Sequence, residues 1–255
     1  MYSPSPTAIF DRAKALFRSR LRPPFVVYTV SRVERIDGMP DFENTYTTRV
    51  WFRASDGAAL TRRTERGRAV GPLVFARPRF NAPLDPGPPT ADIFERAPAY
   101  PRATVPATAT PAMPTIGNVV APVESDYRVS LGTSDAETYH LLLVARREPD
   151  RNRLSELWVE RATWSVRRAI AADRLYFGEG PNWIADRLDI RFDSRDGLPT
   201  IARISASTDV DVESRENGPH EEGEYRFGAM TFPASLPAWY FRPEEYGRHS
   251  VDAPS

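Results

Sequence analysis

Polar and apolar positions change period at one point near the start of the chain. From 5 to 21, Ile9, Phe10, Ala13, Leu16, Phe17 and Leu21 recur at three- and four-residue spacing. That is the apolar stripe of an amphipathic helix. Ser5 is a suitable cap, Pro6 fits the first turn, and Pro23-Pro24 stop the run. Beyond the prolines the period becomes two. Residues 25–35, 46–52 and 58–66 read as strands, and Asp37-Gly38 and Asp56-Gly57 mark turns between them.

The middle of the chain loses both periods. Prolines crowd the segment 70–122, and Thr104 to Thr115 is nearly all Ala, Pro, Thr and Val. Such a stretch reads as a long loop or mobile flap. A short helix at 90–96 interrupts it, with Thr90 as cap ahead of Ile93 and Phe94. The flap is expected to move most over 99–117, where little can be buried. Alternation then resumes in strands at 118–131, 137–147, 154–161, 164–176, 183–193, 198–212 and 223–232. Short turns such as Arg161-Ala162-Thr163 and Asp196-Gly197 join them. Strands so connected pair antiparallel with their chain neighbours. The expected fold is mostly β (α+β): one domain over 1–255, a curved antiparallel sheet with the N-terminal helix on its concave face. The meander occupies 118–232, and an aromatic tail over 233–255 packs across an edge or end of it.

Composition narrows the function. Lys+Arg and Asp+Glu are both 34, so the net charge is zero, which argues against nucleic acid as the main partner. The basic residues are nearly all arginine, Lys14 being the one lysine. With no cysteine, disulfides, thiol nucleophiles and thiolate-ligated zinc are excluded. No apolar run is long enough for a transmembrane helix. No apolar leader follows Met1, so either the protein is cytoplasmic or a leader is missing from this chain.

Candidate chemistry is sparse. The histidines are His140, His220 and His249, and no Gly-x-Ser-x-Gly elbow is present. His140 is expected to face solvent or to make a core hydrogen bond. Asp209, Asp211 and Glu213 share one strand face, followed by His220, Glu221, Glu222 and Glu224. Their spacing fits neither an EF-hand loop nor a His-Glu-x-x-His zinc site, and a solvated face explains them as well. Gly178-Glu179-Gly180 lacks the third glycine of a phosphate cradle. No catalytic residue, metal or cofactor is therefore expected, and the protein reads as a binding module and not an enzyme.

What remains is apolar. Tyr46, Val50 and Phe52 share a face, as do Tyr139, Leu141 and Leu143, then Leu157 and Val159, then Leu188, Ile190 and Phe192, then Tyr225 and Phe227. One helix cannot cover so much apolar sheet, so the flap, a partner or a ligand must close the remainder.

Tyr139-His140-Leu141-Leu142-Leu143, a polar loop, and Leu154-Ser155-Glu156-Leu157-Trp158-Val159-Glu160 together resemble a known pattern. So do Ala162-Thr163-Trp164-Ser165-Val166, Arg167 to Ile170, and Ile190-Arg191-Phe192. The chain is similar here to the periplasmic lipoprotein-carrier (LolA/LolB-like) half-barrel superfamily, over 5–55 and 118–232. The resemblance implies an unclosed half-barrel in the cell envelope that holds a lipid or acyl chain without covalent chemistry, for transport or sensing. An envelope protein partner is a second implication, on a solid core with no ligand. The surplus apolar face and the resemblance together nominate Leu16, Phe17, Val50, Phe52, Leu141, Leu143, Leu157, Val159, Leu188, Ile190, Phe192 and Phe227 as ligand-facing.

Overall fold

A computed structural model describes residues 4–36, 43–78, 87–96, 126–148, 151–176, 183–209 and 221–249. One helix, α1 (Pro6–Ser19), precedes eleven strands. These are β1 (Phe25–Ile36), β2 (Glu43–Arg53), β3 (Ala59–Glu65), β4 (Arg68–Ala76), β5 (Tyr127–Leu131), β6 (Thr138–Ala145), β7 (Leu154–Glu160), β8 (Val166–Tyr176), β9 (Trp183–Arg195), β10 (Leu198–Asp209) and β11 (Glu221–Thr231). All lie in one open sheet, in the order β4-β3-β2-β1-β11-β10-β9-β8-β7-β6-β5. Every pairing is antiparallel.

Helix α1 begins as its sequence requires. The Ser5 side chain accepts from the Ala8 backbone N–H at 3.3 Å, and proline fills the first turn. Ile9, Phe10, Ala13 and Phe17 are buried, Leu16 half-buried. The helix stops at Ser19, ahead of the expected 21. Leu21 falls outside it and is 92% exposed, because Pro23-Pro24 force the preceding residues into extended backbone.

Strand register gives the sheet two chemically distinct faces. On the inner face, where α1 packs, one apolar surface joins α1 to Leu141, Leu157, Ala169, Ile190, Ile204 and Tyr225. Beyond β11 the same face continues as a second cluster of Val26, Tyr28, Val50, Phe52, Ala59 and Met230. On the outer face, Val27, Trp51 and Leu60 lie under the tail residues Tyr240 and Phe241. The tail thus lies across the sheet's outer face, near the β4 end. The rest of the outer face carries alternating charges such as Arg168, Asp189, Arg203 and Glu224.

Two sequence expectations fail in the proline-rich region. Residues 68–76 form strand β4 instead of loop. Gly71 and Pro72 break its apolar pattern, yet a strand with a single partner needs only half its backbone donors, so proline is tolerated there. The turn before it, Arg66-Gly67, has positive φ at both residues (49° and 76°), as Asp196-Gly197 does (51° and 75°). Both are two-residue hairpin turns, but arginine is an uncommon first residue.

The expected helix at 90–96 is also absent. Two single turns stand there, closed by Ala91 N–H to Pro88 O and Glu95 N–H to Asp92 O. They serve as a strap under α1. Phe94 meets Phe10 at 5.7 Å and Phe17 at 5.4 Å between ring centres, both edge-on. The Ile201 N–H donates to Pro89 O at 2.7 Å, and Arg18 holds both Asp92 and the Phe94 carbonyl. The Asp37-Gly38 turn, the mobile segment expected at 99–117 and the beginning of the strand expected from 118 lie outside the described residues.

Candidate functional site

Three of the concavities on the described surface are large enough to hold a ligand group. The first lies where the last turn of α1 overhangs the β7–β8 and β9–β10 hairpins. Its volume is about 310 Å3, and Ala13, Leu16, Phe17, Trp164, Val166 and Pro199 form its apolar lining. Arg20, Glu160, Arg167 and Asp193 stand around it. Local chemistry fixes this mouth. Trp164 adopts φ 61°, turning its ring back onto Tyr139 at 5.8 Å, and the Arg12 guanidinium caps that ring at 4.1 Å. Glu160 accepts from the Thr163 hydroxyl and from Arg167. These two bonds, in that order, hold its carboxyl below the usual carboxylate range.

A second concavity, of about 190 Å3, lies on the inner face between β1, β2, β3 and β11. Tyr28, Val30, Tyr46, Val50 and Tyr225 line it around Arg32. Arg32 is 8% exposed; it donates to the Tyr46 hydroxyl at 3.0 Å and lies 5.2 Å from the centre of the Tyr225 ring. The third, of about 360 Å3, is a polar groove on the outer face bordered by Arg187, Asp189, Arg203, Ser205, Glu224 and Arg226. Its charges are paired: Glu224 accepts from Arg203 at 2.6 Å and from Arg226.

The nominated ligand-facing residues divide among these places. Leu16 and Phe17 line the first cavity, and Val50 the second. Leu141, Leu143, Leu157, Val159, Leu188, Ile190 and Phe192 share the inner face as the alternation predicts, packed in the core beneath α1 and the strap. Phe52 belongs to the second cluster, and Phe227 is half-buried between the two. Sequence reasoning missed the hairpin side of the first cavity, because turn-flanking residues such as Trp164 and Pro199 carry no periodicity. Only the positive φ of Trp164 aims it there, and no sequence pattern signals that at a tryptophan.

His140 neither faces open solvent nor bonds within the core: it stands half-buried on the outer face. Its Nε2 lies 2.8 Å from Glu156 and its ring stacks on Trp158 at 4.2 Å. The Ser134 hydroxyl accepts from the His140 backbone N–H and not from the ring. Tyr127, whose hydroxyl accepts from the Leu154 N–H, is pushed by burial up to about 12 and remains a neutral structural group. Among the described residues no three His, Asp or Glu side chains converge as metal ligands. Most of the acidic run beginning at Asp209 lies outside them. No helix among them is long and apolar enough to cross a membrane.

Solved structures with a related course were found. A LolA superfamily protein from Nitrosomonas europaea aligns over 95% of this chain and 99% of its own, at 16% identity and TM-score 0.42. A DUF1329 family protein from Desulfovibrio piger aligns over 95% and 100%, at 14% identity and TM-score 0.40. MucB, solved in complex with MucA(peri), aligns over 91% and 100%, at 10% identity and TM-score 0.23. The likeness to the LolA superfamily is weak and partial. No family profile and no curated protein matches the sequence.

Proposed function

We propose that this protein is a non-catalytic binding module of the cell envelope that takes one end of an acyl or similarly apolar chain into the cavity under the last turn of α1. The observation that carries this reading is the lining itself. Leu16, Phe17, Trp164 and Val166 present apolar surface to open space, while nearby inner-face positions are filled by α1 and the strap. A volume of about 310 Å3 sits at the lower end of the range for small-ligand sites, roughly 300–1,000 Å3. Each methylene buried there contributes about 0.8 kcal/mol, so about ten of them match the roughly 8 kcal/mol of micromolar binding before the cost of association. The charged rim suits a ligand whose head stays in water. The strand pattern around Tyr139–Leu143 and Leu154–Glu160 supports the same reading by its resemblance to lipid carriers.

Titration with dansyl-undecanoic acid tests it. Leu16→Arg should weaken binding at least tenfold, and Ser165→Trp, which fills the mouth, should do the same. Ala15→Arg, on the exposed side of the helix, should leave it unchanged. Circular dichroism establishes that all three fold. No saturable binding by the natural sequence, or equal binding by folded Leu16→Arg and Ala15→Arg, would remove the carrier reading. A solid-core module that binds an envelope protein would then be the better account, consistent with the full burial of Leu141, Leu157 and Ile190.

A further inference from the structure

On the outer face, next to the patch covered by the tail, the register aligns one row across four strands. Arg62 of β3 stands opposite Arg49 of β2, which stands opposite Thr29 of β1, which stands opposite Gly228 of β11. Two like charges directly opposite one another on neighbouring strands repel. Elsewhere on this face several arginines answer to carboxylates: Arg53 to Asp56, Arg168 to Asp189, and Arg203 and Arg226 to Glu224. Arg49 and Arg62 have no such partner among the described residues. Arg49 spends one terminal nitrogen on the Ala229 carbonyl at 3.1 Å. The Nε of both arginines is buried and has no hydrogen-bond partner. Burial also lowers the Arg49 pKa from its ordinary value, the sign of a cation deprived of water without a compensating anion.

Among the described residues the surroundings offer hydroxyl groups and no acid. Thr29, Ser31, Thr47 and Thr64 share this face, with Trp51 and Leu60 on the tail side. Gly228 lets the Thr29 hydroxyl approach its backbone closely, since a Cβ there would stand only 3.3 Å from it. Buried donors with no partner cost stability, and an anion accepting from them reverses that cost. Two guanidinium groups match the charge of a dianion, whereas one carboxylate would leave a net positive charge on the half-buried pair. We infer that Arg49 and Arg62, assisted by Thr29, form a binding site for a phosphoryl group. It is separate from the apolar cavity, on the opposite face of the sheet.

The group could be free phosphate or the head of an anionic lipid, so the test has two arms. In the first, inorganic phosphate is titrated calorimetrically into the full chain in low-salt buffer. In the second, flotation is measured with phosphatidic acid vesicles, whose phosphomonoester can carry two charges, and with phosphatidylcholine vesicles. Saturable binding in either arm, at least tenfold weaker in both Arg49→Gln and Arg62→Gln and unchanged in Arg128→Gln, is the expected result. Arg128 is an exposed arginine of β5, at the far end of the sheet. Phosphate binding in solution assigns the site to the free ion. Binding to phosphatidic acid vesicles alone assigns it to a headgroup. Circular dichroism and thermal melts accompany each variant, and bound phosphate should raise the melting midpoint of the natural sequence but not of the glutamine variants. Absence of binding in both arms, or equal binding by the glutamine variants and the natural sequence, would overturn the assignment.

Discussion

Single side chains on the β6–β8 surface set measurable limits on how this protein tolerates acid and substitution. Glu160 is held below the usual carboxylate value of 4.5 by the Thr163 hydroxyl and then by Arg167. Asp135, fully exposed, is likewise held below 3.8 by the backbone N–H groups of Thr138 and Glu137. A carboxyl lowered on folding adds stability that is whole above its unfolded value and disappears as the pH falls through its folded one. Urea midpoints should therefore change little from these groups between pH 7 and 5 and decline below about 4.5, and Glu160→Gln should flatten part of that decline. Gly132 makes a steric prediction. A Cβ at this position would lie 2.5 Å from the His140 ring nitrogen. Gly132→Ala should displace the imidazole from Trp158 and Glu156, at roughly 1–3 kcal/mol in a denaturant titration. The Gly132 effect is not visible in the linear sequence, because the His140–Glu156 contact and the Gly132 approach both depend on strand pairing.

At the scale of elements, the sequence speaks clearly where one physical rule acts alone. Strands β7 to β10 follow alternation and an Asp-Gly turn, so their positions and inward faces are legible from Leu157, Ile190 and Asp196-Gly197. Helix α1 is legible from its cap and its stripe. The proline-rich segment is not. Gly71-Pro72 obscure an end strand, and the 87–96 strap is held by tertiary contacts of Pro89, Asp92 and Phe94, which no local period encodes. That strap yields a prediction. Phe94→Ala, which removes a ring packed on both Phe10 and Phe17, should cost about 3–5 kcal/mol of unfolding free energy. Leu157→Arg places a charge where the side chain has no exposure and lines none of the three cavities described above. It should prevent folding outright, seen as loss of the sheet signal in far-ultraviolet circular dichroism.

For the molecule as a whole, the two faces of the sheet are closed by different ends of the described chain. Helix α1 and the strap cover the inner face of β5–β10, and the tail seals the outer face of β1–β3 with Tyr240 against Trp51 at 6.0 Å and Arg53 over Phe241 at 4.2 Å. Removing residues 236–255 would uncover Val27, Trp51 and Leu60 together. The shortened protein should bind more 1-anilinonaphthalene-8-sulfonate and self-associate on size exclusion, as exposed apolar patches do. Tyr240→Ala should show a milder form of the same change. The aromatic tail announces itself by composition, but the face it covers does not, because Trp239 to Phe241 follow no period that would orient them.

The pairing of β1 with β11 joins Val27 to Thr231 and Val30 to Phe227, positions near opposite ends of the chain. All other strand pairs in the sheet are neighbours in the described sequence. The molecule can therefore assemble most of its hairpins quickly and locally, while this one seam must wait for a search through nearly the whole polypeptide. Refolding speed should thus be governed by a contact that contributes only one of ten ladders. During synthesis the first four strands emerge long before their central neighbour exists, and their inner cluster of Val26, Tyr28, Val50 and Phe52 waits without Met230. A nascent chain in that interval is a natural client for a holdase, whatever the finished protein carries.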